Sequence, residues 1–275
     1  MKITVIGGGS TYTPELVNGF LARVASLPLT ELCLMDIDEE RLKIVGGFAQ
    51  RMVNAKGNPF KVTLTLDQRE AVAGASYIIT QLRVGMMQAR KGDEYLGQRH
   101  GLIGQETTGV GGMAKALRTI PVIQRIVDDM RELAPNALLA NFTNPAGLVT
   151  EMLTRYAPDI PAVGVCNVGI TAKMTMLAEY EKMAGETVTE ERAVLSTLGL
   201  NHLTWHSGFQ VDGEEKWGEI FPAYLEELRQ QDAPEWDIRT LETLGIIPNY
   251  YLQYFYYTDK KLKAQAAWPP SRAEE

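Results

Sequence analysis

Short apolar runs alternate with longer amphipathic stretches along the first two thirds of the chain. The runs are nearly continuous in apolar residues, which is typical of strands buried on both faces of a sheet. The predicted strands are Lys2–Ile6, Glu31–Met35, Lys61–Thr65, Tyr77–Leu82, Ala137–Asn141 and Ala162–Val165. The predicted helical segments are Thr13–Ser26, Glu39–Asn54, a short turn at Arg69–Val72, Met113–Leu133 and Leu148–Tyr156. This alternation predicts an α/β fold with a mostly parallel sheet between two layers of helices.

The pattern changes after residue 189. Leu195–Leu203 is an apolar segment that contains a polar pair, Asn201 and His202, and Phe209–Trp217 has the pattern of a hairpin. A charged helical stretch follows, and the end of the chain is rich in tyrosine. We therefore expect a second domain of the α+β class. The predicted domains are 1–195 and 196–275.

The composition is that of an ordinary globular chain and excludes several other classes. The 275 residues are 45% hydrophobic and 22% charged, so a sizeable core is expected. Two cysteines are too few for a disulfide framework, which predicts a cytoplasmic location. No run approaches the ~20 apolar residues that a membrane span needs. The net charge of −7 argues against nucleic acid or a membrane surface as a partner.

A glycine turn follows the first predicted strand. Gly7, Gly8 and Gly9 precede a predicted helix, and glycines there permit a positive φ and a close approach of the backbone to a pyrophosphate. Asp36 ends the second strand, where a carboxylate accepts hydrogen bonds from the ribose of NAD, and Asp38 is the second choice. A tight turn that binds no ligand is the simpler interpretation. We predict a Rossmann-like, doubly wound domain that binds NAD. The predicted NAD-binding residues are Gly7, Gly8, Gly9, Ser10, Thr11 and Asp36.

Three further residues have side chains suited to metal binding or proton transfer. Cys166 follows the last parallel strand, at the edge of the sheet where α/β proteins bind ligands. Its thiolate and the imidazole of His202 would hold a divalent ion with positions open for a substrate. A buried structural cysteine and a core histidine explain the same two residues. Tyr251 lies in an aromatic run, where core packing and a role as general base are both open. His100 and His206 are expected at the surface.

Two polar loops follow buried strands and carry more functional groups than a solvent loop needs. Residues 101–112 contain five glycines together with Glu106, and Asn141–Gly147 places amides at the end of a strand. Arg83 and Arg90 follow the predicted strand Tyr77–Leu82 and precede the first of these loops. They would bind an anionic group, or they are ordinary surface arginines.

Taken together, these segments resemble glycoside hydrolase family 4, whose members are NAD- and metal-dependent glycosidases. The matching segments are Ile6–Ser10, Gly104–Gly109, Asn141–Pro145, Cys166–Val168, Gly199–Leu203 and Tyr251. The resemblance spans the whole chain, and within the family it is most similar to the 6-phospho-β-glucosidases.

The resemblance implies an enzyme that hydrolyses 6-phospho-β-glucosides, such as phosphorylated cellobiose or aryl-β-glucosides. The family is an exception to the usual two-carboxylate mechanism of glycosidases. NAD removes a hydride from C3 of the sugar, a base removes the C2 proton, and the aglycone leaves C1 by elimination. Water then adds and the hydride returns to C3. A divalent cation, usually Mn²⁺, polarises the C3 carbonyl.

The resemblance also implies a role for each matched residue. Cys166 and His202 would bind the cation, and Tyr251 would act as the base. Glu106 would tune the tyrosine or a metal-bound water. The matched substrate-binding positions are Arg90, Asn144, Asn167, Asn201 and Arg272. Enzymes for α-glucosides tend to carry an aspartate after the ligand cysteine, so Asn167 favours the β-anomer.

Several alternatives stay open on sequence alone. They are a 6-phospho-α-glucosidase or another member of the same family, an NAD-dependent 2-hydroxy acid dehydrogenase, and an inactive fragment that binds NAD or a sugar phosphate. The inactive fragment is an alternative because members of the family are longer than this chain, so we expect its second domain to be truncated. The resemblance further implies a small phosphorylated glycoside as partner and a homodimer or homotetramer.

Overall fold

The structure is a computed structural model that describes residues 1–232 and 234–267, and the chain divides into two compact units, Met1–Val165 and Cys166–Ala267. The strands are β1 (Lys2–Ile6), β2 (Glu31–Met35), β3 (Lys61–Thr65), β4 (Tyr77–Thr80), β5 (Leu138–Asn141), β6 (Ala162–Gly164), β7 (Ala193–Leu200), β8 (Leu203–Val211), β9 (Glu214–Glu215) and β10 (Ile247–Pro248). The α-helices are α1 (Thr13–Ala22), α2 (Glu39–Ala55), α3 (Gln68–Val72), α4 (Met86–Arg99), α5 (Gly109–Leu133), α6 (Ala146–Tyr156), α7 (Val168–Ala184), α8 (Trp217–Arg229), α9 (Ile238–Leu244), α10 (Gln253–Tyr256) and α11 (Thr258–Ala267). Short 3₁₀ helices cover Glu190–Arg192 and Tyr250–Leu252.

The first unit is built on a six-stranded parallel sheet. Its strand order is β3-β2-β1-β4-β5-β6, and Val5 in β1 pairs with Leu34 in β2 and Ile79 in β4. The order reverses between β1 and β4, so the loops that follow these two strands diverge and leave a crevice where doubly wound sheets bind ligands. This topology confirms the predicted Rossmann-like fold.

Both faces of this sheet are covered, which explains the nearly continuous apolar strands. One hydrophobic cluster includes Ile78, Ile126 and Leu139, and another includes Val5 and Leu32. In β1 and β2, four of the five residues are buried. Strands that contact helices on both sides cannot alternate apolar and polar residues, because neither face meets water.

The second unit contains a small antiparallel sheet of order β10-β8-β7, with β9 paired to β8. The predicted hairpin is confirmed, since Val211 pairs with Glu214 around Asp212 and Gly213, both of which have a positive φ. The core of this unit includes Phe209 and lies against helices α7 and α8. Among the described residues, no helix combines the length and the apolar character that crossing a membrane requires.

The division of the chain differs from the predicted one. We expected the first domain to extend to residue 195, whereas the first compact unit ends at Val165. The difference is helix α7, which the sequence did not predict. Met176 and Leu177 of this helix pack with Phe209 and Ile220 in the core of the second unit, so the helix belongs there by its contacts.

Candidate functional site

The glycine turn after β1 is packed so tightly that side chains are excluded. Gly7 has φ +94°, and a Cβ atom at this position would lie 2.9 Å from the backbone carbonyl of Gln81. A Cβ at Gly8 would lie 2.8 Å from the Cβ of Leu34. These distances are far shorter than ordinary carbon contacts. The turn is therefore a bare backbone surface at the crevice of the sheet, which fits the approach of a dinucleotide pyrophosphate.

Asp36 and Asp38 have different tasks in the structure. The carboxylate of Asp36 accepts hydrogen bonds from the backbone N–H of Gly9 at 2.8 Å and of Asp38 at 3.1 Å. The side chain of Asp38 caps helix α2 by accepting a hydrogen bond from the N–H of Arg41 at 3.0 Å. Asp38 is thus a helix cap, and Asp36 is the acid fixed beside the glycine turn. Of the other predicted NAD-binding residues, Ser10 donates its backbone N–H to the carbonyl of Gly7 at 3.1 Å, and Thr11 is exposed.

A buried ionic cluster surrounds Glu106 in the first unit. One carboxylate oxygen, Oε2, lies 2.7 Å from Nη1 of Arg83, 2.7 Å from Nζ of Lys115 and 3.5 Å from Nε of Arg90. Arg90 also donates from Nε to Oε1 of Glu94 at 2.8 Å. Lys115 is 2% exposed, so its ammonium group lacks the hydration it would have at a surface and is stabilised by the contact with Glu106. The structure thus brings Arg90 and Glu106 together, and it adds a lysine that the sequence analysis did not single out.

The cluster fixes the charge of its central carboxylate. Burial by itself raises the pKa of Glu106, but Lys115, Arg83 and Arg90 more than offset this effect and lower the pKa to about 2. Glu106 is therefore an anion near neutral pH, where it acts on its surroundings by charge and not by proton transfer. Burial raises the pKa of Glu94, and its Oε2 has no hydrogen-bond partner among the described residues.

Cys166, His202 and Tyr251 come together in the second unit. The Sγ atom of Cys166 lies 3.9 Å from Nε2 of His202. The ring of Tyr251 is stacked on the ring of His202, with the centroids 3.5 Å apart and the planes 1° from parallel. The sequence separates Cys166 from His202 by 36 residues, so their proximity is a result of the fold.

A two-residue hairpin connection presents His202. Leu200 in β7 pairs with Leu203 in β8, so Asn201 and His202 form the turn between the strands. Asn201 has φ +52°, a left-handed conformation that asparagine adopts more readily than most residues. Gly199 has φ +106°, and a Cβ there would lie 2.0 Å from the carbonyl oxygen of Leu203. The local sequence is thus suited to a tight turn that carries an imidazole into a buried position.

The donor atoms of this pair fit a divalent cation. With the bond lengths of Zn²⁺, about 2.3 Å to sulfur and 2.0–2.1 Å to nitrogen, and a tetrahedral angle, the two donors would lie about 3.6 Å apart. The observed separation is 3.9 Å. Burial lowers the pKa of His202 to about 4, so the imidazole is neutral near pH 7, as a metal ligand must be. Its Nδ1 is buried without a partner among the described residues. Among the residues that the structure describes, no group of three or more His, Cys, Asp or Glu side chains is placed to hold a metal ion.

Asn249 is a site residue that the sequence analysis missed. It is 2% exposed, and its Oδ1 accepts a hydrogen bond from the N–H of Tyr251 at 3.0 Å. Its Nδ2 donates to Oγ1 of Thr204 at 2.9 Å and to the carbonyl oxygen of Asn201 at 3.4 Å. An asparagine directly before a short helix is a typical N-cap signal, which could have identified it.

The remaining predicted site residues have less informative surroundings. Asn144 is half-buried in the loop after β5, and Asn167 is exposed at the start of α7. Arg272 lies outside the described residues. The expectation that His206 lies at the surface is wrong. His206 is 3% exposed because it occupies an inward position of β8, where its Nδ1 makes a hydrogen bond of 2.9 Å with Oγ1 of Thr197.

Comparison with known proteins relates this architecture to characterised enzymes. A "Probable 6-phospho-beta-glucosidase" of Bacillus subtilis (strain 168) is 43% identical over 270 residues, which cover 96% of this chain and 60% of the relative. This chain therefore spans about three fifths of the length of that relative, and the shares of two others are 59% and 64%.

Solved structures show the same fold together with ligands. The 6-phospho-β-glucosidase of Thermotoga maritima, solved with manganese, NAD⁺ and glucose-6-phosphate, superposes with a TM-score of 0.86 at 36% identity, covering 100% of this chain and 64% of that one. A 6-phospho-α-glucosidase from gut microorganisms, solved with NAD and Mn²⁺, has a TM-score of 0.83 at 28% identity, covering 99% and 64% of the two chains.

Sequence profiles assign nearly the whole chain. The profile of the "Family 4 glycosyl hydrolase" matches residues 2–182, and the profile of the "Family 4 glycosyl hydrolase C-terminal domain" matches residues 197–275. Membership of a glycosidase family sets aside the plain 2-hydroxy acid dehydrogenase that the nucleotide-binding pattern left open. The chain belongs to glycosyl hydrolase family 4.

Proposed function

We propose that this protein hydrolyses 6-phospho-β-glucosides in a reaction that depends on NAD and a divalent metal ion. The observation that carries the proposal is the arrangement of Cys166, His202 and Tyr251, in which a thiol and an imidazole lie 3.9 Å apart and a tyrosine ring is stacked on the imidazole. Support also comes from relatives named 6-phospho-β-glucosidase that are 38–43% identical to this chain. Phosphorylated cellobiose and aryl-β-glucosides are the expected substrates.

The bound groups and the side chains divide the chemistry between them. When bound, NAD supplies reversible hydride transfer at C3 of the sugar, and a divalent cation, expected to be Mn²⁺, supplies polarisation of the C3 oxygen. Cys166 and His202 hold the cation. The ionised phenol oxygen of Tyr251 takes the C2 proton, which a neighbouring ketone makes acidic, and so becomes a hydroxyl. The aglycone then leaves C1 and takes up a proton from solvent. Water adds at C1, a proton returns to C2, and the C3 ketone is reduced back to an alcohol by the same hydride, so the net change is hydrolysis.

The first unit binds the nucleotide in this proposal. The backbone of Gly7, Gly8 and Gly9 lies against the pyrophosphate, with Ser10 and Thr11 at the start of the helix. Asp36 accepts hydrogen bonds from the adenosine ribose. The side chain of Asp36 is already oriented by the N–H of Gly9 at 2.8 Å, and each carboxylate oxygen keeps a second lone pair for the ribose.

The ionic cluster supplies positive charge for an anionic substrate. Arg83, Arg90 and Lys115 face two carboxylates, Glu106 and Glu94, so the cluster has a net positive charge even when both are ionised. Arginine is well suited to binding phosphate, and we assign Arg90 to the anionic end of the sugar. Glu106 stays ionised and tunes the tyrosine or a metal-bound water by its charge.

Amide side chains complete the substrate site. We assign Asn144, Asn167 and Asn201 to the sugar hydroxyls, and Arg272 to the phosphate. Asn167 stands where enzymes for α-glucosides tend to have an acid, which supports the β-anomer. A 6-phospho-α-glucosidase activity is the second candidate, because a relative with that name is 31% identical over 277 residues.

We further propose that the protein works in the cytoplasm as a homodimer or homotetramer. The location rests on the cysteines. Cys33, which is buried in β2, and Cys166 are both free thiols, and two cysteines are too few for the disulfide framework of a secreted domain.

A substrate panel tests the proposed function. The protein is incubated with NAD, Mn²⁺ and a thiol reductant, together with nitrophenyl 6-phospho-β-glucoside, its α-anomer or the unphosphorylated β-glucoside. We expect turnover of the first substrate, and loss of turnover when NAD is omitted or when a chelator is added. Turnover of the α-anomer alone would favour the second candidate. NAD binding without turnover of any substrate would favour an inactive binding fragment.

A further inference from the structure

Asn249 joins the two segments that carry His202 and Tyr251. Its Oδ1 accepts from the N–H of Tyr251 at 3.0 Å, which ties it to the short helix Tyr250–Leu252. Its Nδ2 donates to Thr204 at 2.9 Å, and its own backbone N–H donates to the carbonyl oxygen of Thr204 at 2.8 Å. Thr204 lies two residues after His202 in β8. One buried amide therefore spans from the hairpin of His202 to the helix of Tyr251.

Neither segment is long enough to fix its ring alone. His202 lies in a two-residue connection, and Tyr251 lies in a single 3₁₀ turn of three residues. Such short elements have few internal hydrogen bonds. Contacts from outside each segment must therefore hold the rings in place.

The rings would not select this arrangement by themselves. Aromatic rings favour offset or edge-to-face contacts with centroids about 4.5–7 Å apart, whereas the rings of His202 and Tyr251 are parallel with centroids 3.5 Å apart. The backbone must therefore hold them face to face, and Asn249 supplies hydrogen bonds to both sides of the contact.

We propose that Asn249 is a positioning residue that holds the proton-accepting tyrosine at a fixed distance from the metal-binding imidazole. This inference rests on the proposed function, in which Tyr251 takes the C2 proton and His202 binds the cation. Loss of the side-chain amide leaves both functional groups present but lets the helix of Tyr251 shift against the hairpin. A displacement of about 1 Å at a reacting group is enough to lower a rate about a hundredfold.

Nuclear magnetic resonance of the histidines tests the geometry without any catalytic assay. The chain has three histidines, so the Cε1–H signals form a small and separable set. The face of Tyr251, 3.5 Å from the ring of His202, shifts the His202 signal upfield, and the variant Tyr251→Leu assigns that signal by removing the shift. We expect Asn249→Ala and Asn249→Asp to move the signal towards its position in Tyr251→Leu. An unchanged His202 signal in both Asn249 variants overturns the proposal.

Kinetics test whether the geometry matters for the reaction. Asn249→Asp keeps the acceptor for the N–H of Tyr251 but loses the donor to Thr204, so we expect kcat to fall about a hundredfold, with KM changed less than threefold. Thr204→Ser retains the accepting hydroxyl and keeps kcat, whereas Thr204→Val lowers it. A displaced His202 signal with an unchanged kcat also overturns the proposal. If the parent protein turns over no phosphoglycoside, the proposed function fails, while the histidine spectra still decide what Asn249 does.

Asp237→Ala is the matched control in the same unit. Asp237 caps helix α9 by accepting a hydrogen bond from the N–H of Thr240 at 3.1 Å, so its loss removes a comparable helix cap elsewhere. This control is expected to lower thermal stability as the Asn249 variants do, while leaving the His202 signal and kcat unchanged. If Asp237→Ala reproduces both effects of Asn249→Asp, the effects reflect general destabilisation and the positioning role is wrong.

Discussion

Replacing Glu106 with glutamine should destabilise the first unit strongly, because it removes an anion on which three cations converge. Lys115 is almost fully buried, and Arg83 and Arg90 also lie within 3.5 Å of the same oxygen. Breaking a buried ion pair from one side costs about 3–5 kcal/mol. The fall in the pKa of Glu106 from 4.5 to about 2 gives a similar size, about 3 kcal/mol in favour of the ionised folded state.

The pH dependence follows from the direction of that shift. Because the folded protein lowers the pKa of Glu106, the stabilisation is fully present above pH 4.5 and is lost as the pH falls towards 2. The difference in stability between the parent protein and Glu106→Gln should therefore shrink over this acid range.

Glu39→Gln is the matched control for this prediction. Glu39 pairs with Lys43 at 2.6 Å, nearly the distance of the Glu106–Lys115 pair, but its side chain is 61% exposed. An exposed pair at this helical spacing contributes about 0.3–0.5 kcal/mol. By calorimetry we expect Glu106→Gln to lower Tm by about 6–20 °C and Glu39→Gln by about 1–2 °C. Equal losses in the two variants would refute the argument that burial gives the Glu106 cluster its strength.

Three other perturbations test separate parts of the structure. Gly7→Ala should abolish NAD binding in calorimetric titrations, since the added Cβ would lie 2.9 Å from the backbone of Gln81. Gly57 is the control, because it has φ +80° but open space around it. Gly57→Ala should lower the free energy of unfolding by about 1–2 kcal/mol and leave NAD binding intact. Burial lowers the pKa of His206, so below pH 6.5 the unfolded chain binds a proton that the folded protein does not, and stability should fall as the pH drops. His206→Gln should reduce the slope of stability against pH by at most about 1.4 kcal/mol per pH unit. Cys166→Ser should weaken Mn²⁺ binding at least about tenfold, measured by electron paramagnetic resonance of the free ion, and an unchanged affinity would exclude the thiol as a ligand.

The sequence predicts the sheet of the first unit better than its helices. Strands β1, β2 and β3 have the predicted bounds, because buried parallel strands are short apolar runs that stand out from their surroundings. Helix α4 was missed for a physical reason. Its buried positions are Asp93, Glu94 and Gly97, so it has no apolar stripe. Polar contacts join α4 to α5 where an apolar stripe would otherwise do so, such as the ion pair of Arg118 with Asp93 at 2.6 Å.

The candidate site could be predicted in its parts but not in its geometry. Family motifs identified Cys166, His202 and Tyr251, yet their separations of 3.9 and 3.5 Å depend on long-range pairing that no local pattern encodes. Lys115 was missed because it lies in a helix among apolar residues, where a lysine is usually a solvated side chain. Its partner Glu106 was identified from its loop, but the ion pair between them exists only once helix and loop are packed.

The fate of the C2 proton tests the proposed elimination most directly. The protein is incubated in deuterium oxide with NAD, Mn²⁺ and a 6-phospho-β-glucoside, and the glucose 6-phosphate formed is examined by mass spectrometry and proton magnetic resonance. If Tyr251 removes the C2 proton, solvent deuterium enters at C2 during turnover, and Tyr251→Phe suppresses both turnover and exchange while NAD still binds. Product that keeps its original C2 hydrogen throughout turnover would contradict the account.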